Sequence, residues 1–218
     1  MNFEEITHKI QEYSKLGKRL FSTSSFQTHS IPLLHIISRI DNSIPVYFIN
    51  TGYHFPETVE FKDHVAAEFG ITVLDLKPLV PKSMQLNEEG KLLFTSDPNH
   101  CCYLNKTQPV ENLLRSHDVW INGVRADQNA FRQSLKIEQE ASFGCIRFHP
   151  MLSWTSREIH EYRKEYSLPS HPLDAKGYAS IGCEPCTRKI ENGTDERDSR
   201  WFGLTKTECG LHTDLIKR

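Results

Sequence analysis

The spacing of apolar side chains along the chain predicts several amphipathic or buried helices. Pro56 suits the first turn of a helix, where its missing N–H costs nothing, and Gly70 suits the position that ends that helix. Thr155 and Glu158 have the spacing of a capping box, which marks the start of another helix. The helices predicted in this way cover residues 3–15, residues 31–40, about 56–70 and about 155–166.

Between these helices lie short runs rich in β-branched and aromatic residues, which predict strands. The first run, residues 19–21, is expected to end where the polar cluster of residues 22–25 begins. The other strands are expected at residues 46–49, 71–76 and 118–123. Strands that alternate with helices predict an α/β fold, with a mostly parallel sheet and helices on both faces. Because ligands bind at the carboxyl ends of such strands, we expect the chemistry in the loops after Phe21, Ile49 and Ile121.

The last quarter of the chain has a different pattern. From about Ser167, prolines and glycines recur too often for any long helix or strand. We expect irregular structure that folds over a site. The predicted division is a main domain at residues 1–200 and a mobile C-terminal tail at residues 201–218.

The composition is that of an ordinary globular protein and excludes several other classes. Hydrophobic residues make up 38% of the 218 residues and charged residues 25%, which excludes a disordered or collagen-like chain. No run approaches the roughly 20 apolar residues of a spanning helix, and no secretory signal is visible, so we expect a cytoplasmic protein with no membrane partner. A formal net charge of −2 argues against general nucleic-acid binding but leaves room for a local cationic pocket.

Six cysteines in a chain without a visible secretory signal favour metal binding or thiol chemistry over a disulfide framework. Cys183 and Cys186 form a CxxC motif, and Cys101 and Cys102 are adjacent. These four thiols match the ligand number of a [4Fe–4S] cluster, but their spacing alone gives equal weight to zinc or to incidental buried thiols. Cys145 is expected to be an ordinary buried thiol.

A further cysteine, Cys209, stands apart near the C-terminus, with His212 three residues later. A cysteine of this kind is either a nucleophile, activated by nearby cations, or an exposed residue with no role. Arg197 and Arg200 precede it in a segment whose charges are balanced. Their guanidinium groups would suit a phosphate or sulfate, although a solvated charged loop is the more common meaning of such a run.

Motifs at several places along the chain occur together in one order. They are residues 24–26 in a first loop, residues 50–58 in a second loop, Cys101 and Cys102 with Lys106, residues 120–125 with Gln128 in a third loop, residues 180–188, residues 193–197, Arg200 with Trp201, and residues 208–212. In this combination the chain resembles the assimilatory adenylyl-sulfate reductases from about residue 18 to residue 212.

The resemblance implies an adenine-nucleotide hydrolase-like fold and thioredoxin-dependent reduction of adenylyl sulfate to sulfite and AMP. It implies that Cys209 carries a thiosulfonate, which thioredoxin or a similar dithiol releases, and that the enzyme is a homo-oligomer. The ligands of a [4Fe–4S] cluster would be Cys101, Cys102, Cys183 and Cys186. The substrate-binding residues would be Ser24, Ser25, Lys106, Arg125, Arg197, Arg200 and His212.

Three features depart from the family's pattern. The first loop, residues 24–30, has no glycine where many relatives have one, so the side chains of Ser24 or Ser25 are expected to compensate. Asn50 stands where relatives commonly have aspartate, and the tail after Arg200 is shorter and less aromatic than usual.

Other functions stay open on the sequence alone. The nearest alternative is a reductase for 3′-phosphoadenylyl sulfate or for both nucleotides, because the residues that would contact a 3′-phosphate are not evident. From another class, a zinc-stapled nucleotide-binding module without catalysis would explain the two cysteine pairs and leave Cys209 without a role. A thiol–disulfide oxidoreductase that uses Cys183 and Cys186 is disfavoured, because no thioredoxin-like strand precedes them.

Overall fold

The computed structural model describes residues 1–189, 199–201, 208 and 210–215, with residue 212 described by its main chain. Its described residues form one six-stranded sheet. In chain order the strands are β1 (Leu20–Ser24), β2 (Val46–Ile49), β3 (Val73–Leu76), β4 (Val119–Ile121), β5 (Glu138–Glu140) and β6 (Ile146–Phe148). Their order across the sheet is β3-β2-β1-β4-β6-β5, and each neighbouring pair is parallel except β5 with β6. The predicted mostly parallel sheet is confirmed.

Helices cover both faces of the sheet, as predicted. In chain order they are α1 (Phe3–Lys15), α2 (Ile31–Ile40), α3 (Pro56–Phe69), α4 (Leu93–Ser96), α5 (Pro98–Cys102), α6 (Gln108–Ser116), α7 (Ala130–Gln133), α8 (Ser156–Glu165) and α9 (Gly210–Thr213). A π-helix, Tyr103–Thr107, joins α5 to α6. No helix in the described part of the chain is long and apolar enough to cross a membrane.

One face of the sheet packs against α1, α2, α3 and α8. Because side chains alternate along a strand, Val46 and Phe48 of β2 point to the same face and meet Leu34 of α2 and Val65 of α3. A neighbouring cluster on this face joins α1 and α8 to β1, β4 and β6. These clusters hold the amino-terminal half of the chain as a rigid base for the loops at the carboxyl ends of the strands.

The opposite face packs against α6 and the segment that carries α9. Phe21 of β1 and Trp120 of β4 stack with ring centroids 6.1 Å apart, and Val110 and Leu114 of α6 cover them. Leu215, next to α9, is buried in the same cluster. Leu215 therefore ties the segment that carries α9 to the core of this face.

Cys145 is buried in this second face, as predicted. It is fully buried beside Trp120, and burial raises the pKa of its thiol to about 12. A thiol with this pKa is protonated and unreactive at neutral pH.

The local signals that end and begin helices are confirmed. Gly70 ends α3 with a left-handed φ of 62°, which a residue without a Cβ adopts readily. Thr155 and Glu158 form the predicted capping box at the start of α8. Beyond α8, the described residues form 3-10 turns and the short helix α9, in agreement with the predicted irregular region.

The predicted end of β1 was wrong. The strand continues through the polar residues to Ser24 because these side chains find partners within the sheet. Ser22 Oγ donates to the carbonyl of Ile121 at 3.0 Å, and Thr23 Oγ1 accepts from Trp120 Nε1 at 2.8 Å. The division at residue 200 and the mobility of residues 201–218 stay predictions.

Leu34→Ala is expected to lower the free energy of unfolding by about 2–5 kcal/mol, because it leaves a cavity between α2 and the sheet. The matched control is Leu16→Ala at the end of α1, where the side chain is 65% exposed and the expected change is within about 0.5 kcal/mol. Anaerobic denaturant titration followed by tryptophan fluorescence measures both. Equal stability of the two variants would contradict the packing described for this face.

Candidate functional site

Both cysteine pairs line one pocket beside the second loop. Cys101 and Cys102 end α5, and Cys183 and Cys186 bracket a 3-10 turn. All four are free thiols; Cys186 is partly exposed and the other three are buried. The pocket is lined by Thr51, Tyr53, Phe94, Pro98, Cys101, Cys102, Asn105, Lys106, Cys183, Pro185 and Cys186.

Main-chain pairing with the second loop brings the CxxC turn to this pocket. Cys183 forms an antiparallel bridge with His54, and the Glu184 N–H donates to the carbonyl of Tyr53 at 2.7 Å. The hydroxyl of Thr51 lies 3.3 Å from Cys183 Sγ. The loop at the carboxyl end of β2 therefore fixes a turn from more than 120 residues later in the chain.

The adjacent cysteines are held by the start of the π-helix. Asn105 Nδ2 donates to the carbonyl of Cys101 at 2.8 Å and lies 3.5 Å from Cys101 Sγ. The Asn105 amide also exchanges two hydrogen bonds with Gln85, so it is fixed in the buried position. A π-turn is a rare, locally widened helix that is frequent at functional sites, and here it separates the two thiols from α6.

Burial and mutual repulsion disfavour thiolates in this pocket. Burial, and after it the neighbouring thiols Cys102, Cys183 and Cys186, raise the pKa of Cys101 to about 11. The pKa of Cys186 is raised for the same two reasons, and Lys106 opposes the shift at both cysteines. Four thiolates can share this pocket only with a strongly positive partner.

The donor set fits a group that binds four separate thiolates. In the described part of the chain, no three His, Cys, Asp or Glu side chains are placed to share one metal ion. A single zinc would need its sulfurs at about 2.3 Å from one point, whereas an iron–sulfur cluster takes its thiolates at different iron atoms. The four thiols facing one pocket are therefore compatible with a cluster.

Arg200 lies against the same turn. Its Nε donates to the carbonyl of Cys186 at 3.3 Å, and its main chain forms a bridge with Thr187. Its guanidinium lies directly over Gly182, where a Cβ would collide with it. Gly182 thus leaves the space that the guanidinium occupies beside the CxxC motif.

Lys106 and Arg200 act on the same groups. Burial, and to a smaller extent the positive charges of Lys106 and Arg200, lower the pKa of His54 to about 4. Both cations also act in the same direction on the Cys186 thiol. The structure therefore brings two of the predicted substrate-binding cations to the edge of the cysteine pocket.

Ser24, Ser25 and Arg125 do not line this pocket. Ser24 Oγ accepts from the Phe26 N–H at 3.1 Å, and Ser25 is exposed in the first loop. The guanidinium of Arg125 is buried, with Nε 3.0 Å from Asp127 Oδ1 and NH2 2.9 Å from Ser156 Oγ. A substrate role for these three residues stays a prediction.

The first loop, which contains no glycine, has a strained main chain at Phe26. Phe26 has a φ of 54°, a left-handed conformation that glycine adopts easily and a bulky residue rarely does. Its ring is fully buried against Phe48, with centroids 5.8 Å apart. The buried ring therefore holds this strained main chain in a first loop that contains no glycine.

Arg197, Cys209 and the side chain of His212 lie outside the described residues, so their predicted roles stay predictions. Glu208 and Gly210, on either side of Cys209 in the sequence, are described. Glu208 is buried against the loop after β4, and a Cβ on Gly210 would lie 3.1 Å from Thr107 Oγ1 of the π-helix.

Sequence reasoning missed several residues of the site. Asn105 was detectable, because it lies four residues after Cys101 and so on the same side of a helix. Tyr53 and Thr51 line the pocket from the second loop, whose motif was recognised without roles for these side chains. Arg132 carried no local signal, and Glu208 was recognised only as part of the motif at residues 208–212, without a role for its side chain.

Comparison with known proteins identifies relatives over most of the chain. Two curated proteins named adenosine 5′-phosphosulfate reductase are 38% identical to this chain. That of Bacillus cereus (strain Q1) aligns over 202 residues, 92% of this chain and 86% of the relative, and that of Rhodococcus erythropolis over 181 residues, 83% and 73%.

Solved structures support the fold. A Candida auris phosphoadenylyl-sulfate reductase has a TM-score of 0.65 at 22% identity and covers 82% of this chain and 88% of its own. A Candida glabrata FMN adenylyltransferase has a TM-score of 0.59 at 16% identity and covers 84% of this chain and 63% of its own.

The family match decides the classification. Residues 19–189 match the phosphoadenosine phosphosulfate reductase domain, a span that contains the whole sheet and both cysteine pairs. The match and the relatives confirm the resemblance found in the motifs. The chain belongs to the phosphoadenosine phosphosulfate reductase family.

Proposed function

We propose that this protein reduces adenylyl sulfate to sulfite and AMP, with Cys209 as the nucleophile and thioredoxin or a similar dithiol as the reductant. The observation that carries the proposal is the placement of Lys106 and Arg200 beside the four-thiol pocket. The names of the relatives at 38% identity favour adenylyl sulfate over its 3′-phosphorylated form. From the family resemblance, we expect the enzyme to act in the cytoplasm as a homo-oligomer.

In this proposal Cys101, Cys102, Cys183 and Cys186 hold a [4Fe–4S] cluster. The four thiols facing one pocket, three of them buried, and their mutual repulsion support it, since a cluster would neutralise their negative charge. When bound, the cluster would supply a fixed electrostatic element beside the substrate. Thr51 and Asn105 would orient two of its ligands through their contacts with Cys183 and Cys101.

Lys106, Arg197 and Arg200 would bind the phosphosulfate group. Attack at sulfur places negative charge on the sulfonyl oxygens and on the departing phosphate, and fixed cations stabilise both. In a site that excludes water, one such contact is worth about 3–4 kcal/mol. Arg200 is suited to this role because the Cys186 carbonyl and the space over Gly182 fix its guanidinium.

The proposed chemistry needs two displacements at sulfur. The Cys209 thiolate attacks the sulfur of adenylyl sulfate; a sulfur–sulfur bond forms, the sulfur–oxygen bond breaks, and AMP leaves with the electron pair. A thiolate of the reductant then attacks Cys209 Sγ and sulfite leaves. The second thiol of the reductant resolves the mixed disulfide, so the dithiol supplies the two electrons.

The first test is the intact mass of anaerobically purified protein mixed with adenylyl sulfate and no reductant. We expect a sulfonate adduct that maps to Cys209, disappears when thioredoxin is added, and is absent from Cys209→Ser. An adduct formed only by 3′-phosphoadenylyl sulfate would reverse the choice of substrate. A protein that holds its cluster and reacts with neither nucleotide would overturn the proposed function.

Cys102→Ser is expected to lose most of its iron, because a hydroxyl is a poor replacement for a thiolate ligand. Cys145→Ser is the matched control, since Cys145 is equally buried but remote from the pocket lining. Iron and sulfide are measured on protein purified without oxygen. Iron retained in Cys102→Ser at the level of the control would rule out the ligand assignment.

Arg200→Ala is expected to lower kcat/KM by about 10²–10³-fold through loss of charge stabilisation. Gly182→Ala should lower it by about tenfold, because its Cβ displaces the guanidinium while the charge remains. Iron content should be unchanged in both variants. The control is Arg188→Ala, an exposed arginine of the same segment. Parental kinetics in both test variants would remove Arg200 from the substrate site.

A further inference from the structure

A buried ion pair ties Glu208 to the loop that follows β4. Arg132 Nε lies 2.8 Å from Glu208 Oε2, and Arg132 NH2 lies 3.0 Å from Glu208 Oε1, so the contact is bidentate. Asn129 Nδ2 donates to Glu208 Oε2 at 2.8 Å. The two charged side chains are only 9% and 5% exposed. A bidentate, charge-assisted contact of this kind fixes geometry as well as distance.

The partner of Glu208 is held in place by its own neighbours. The Arg132 N–H donates to Asn129 Oδ1 at 2.8 Å, which caps the start of α7. A guanidinium N–H of Arg132 also donates to Gln128 Oε1 of the third loop. Arg132 and Asn129 therefore form a binding site for one carboxylate, and their polar groups are already held in fixed directions.

A second buried arginine raises the free-energy cost of removing the Glu208 carboxylate. Arg147 of β6 is fully buried with its guanidinium over the Trp120 ring, 4.7 Å from the centroid. Burial and then the charge of Arg132 lower the pKa of Arg147 to about 10, whereas Glu208 raises it. Without Glu208, the buried Arg132 and Arg147 guanidinium groups would repel each other without the opposing attraction that its carboxylate supplies.

The chain is also fixed on the other side of Cys209. Gly210 packs against Thr107 at the end of the π-helix that carries Lys106. Five residues later, Leu215 is buried in the core, and its carbonyl accepts from the Ser142 N–H at 3.2 Å. The residues that flank Cys209 in the sequence are thus attached to two separate parts of the site.

We propose that the Arg132–Glu208 ion pair is the contact that positions Cys209 for attack on the substrate. The inference rests on the proposed function for the role of Cys209. Arg132 and Glu208 are positioning residues: they act through the chain that connects Glu208 to Cys209 and touch no reacting atom. The groups that bind the Glu208 carboxylate lie at the end of the third loop and in α7 directly after it. This part of the chain therefore connects the binding of Glu208 to the loop where the substrate is expected.

The test is the rate at which iodoacetamide, a neutral reagent, alkylates Cys209 in the cluster-loaded protein without substrate. We expect Glu208→Gln and Arg132→Gln each to raise this rate at least about tenfold, because either change releases the segment. The double variant should equal the faster single variant, since one contact is lost in all three. Peptide mapping by mass spectrometry assigns the adduct, and the buried Cys145 serves as an internal reference.

The two variants separate positioning from a simple charge effect. Loss of the Glu208 carboxylate lowers the pKa of a nearby thiol and raises its reactivity, whereas loss of the Arg132 cation does the opposite. Only release of the Cys209 segment would raise the alkylation rate of Cys209 in both variants. A faster Glu208→Gln with a slower Arg132→Gln, or no change in either, would overturn the proposal.

Matched controls come from an exposed pair with the same charges. Arg157 and Glu161 form an ion pair on α8 in which the side chains are 85% and 57% exposed. Arg157→Gln and Glu161→Gln should leave the Cys209 rate unchanged. Where Arg132→Gln fails to fold, Arg132→Lys and Glu208→Asp keep a weakened pair and should give rates between the parent and Glu208→Gln.

The outcome is independent of the substrate. If adenylyl sulfate does not label the parent but both variants accelerate alkylation, the ion pair positions the segment and the proposed function is wrong. If labelling occurs, the same variants should slow thiosulfonate formation and leave its release by thioredoxin as fast as in the parent. Unchanged thiosulfonate formation in both variants would overturn the positioning role.

Discussion

Four thiols that face one buried pocket impose the constraint on which the rest of this site depends. In apolar surroundings each thiolate raises the pKa of the others, so the set is stable in its reactive, ligating form only with positive charge nearby. The structure around the pocket holds the thiols in place and supplies positive charge. The second loop pairs with the CxxC turn, Asn105 fixes Cys101, and Lys106 and Arg200 stand at the edge of the pocket. The cations that favour the thiolates are the same two to which the proposed function assigns the binding of an anionic substrate.

The two faces of the sheet differ in what they bury. One face, packed by α1, α2, α3 and α8, is a conventional apolar core that sets the positions of the strand ends. The other contains buried charge: Arg147 over Trp120, and Arg132 with Glu208. A buried ion pair adds little net stability compared with apolar packing, but it specifies one arrangement, because removing either partner leaves a charge unpaired. On this face the ion pair between Arg132 and Glu208 therefore specifies one position for Glu208.

The fold could be predicted largely because its signals are local. Gly70, Thr155 and Pro56 mark helix ends by their own chemistry, and the apolar runs of β2 and β4 read as buried strands. Strand β6 was not predicted because it is three residues long and carries Arg147 at its centre. The sequence pattern would place an arginine at the surface, whereas Arg147 is buried. The end of β1 was missed for a related reason, since the hydroxyl of Ser22 is satisfied by a carbonyl 99 residues away. For the site, the motifs identified the cysteines, Lys106 and Arg200, whereas Arg132 and Glu208, 76 residues apart, are joined only by the fold.

The strained Phe26 in the first loop has a consequence for how a nucleotide would be received there. Glycine at this position would reach the left-handed conformation at no cost but would leave the loop free to leave it. Phe26 accepts a local conformational penalty, and its ring, buried against Phe48, locks the same backbone geometry into the core. A loop immobilised in this way has little conformational entropy left to lose if a ligand binds beside it. The burial of one aromatic ring thus fixes the shape of this loop at the time of folding.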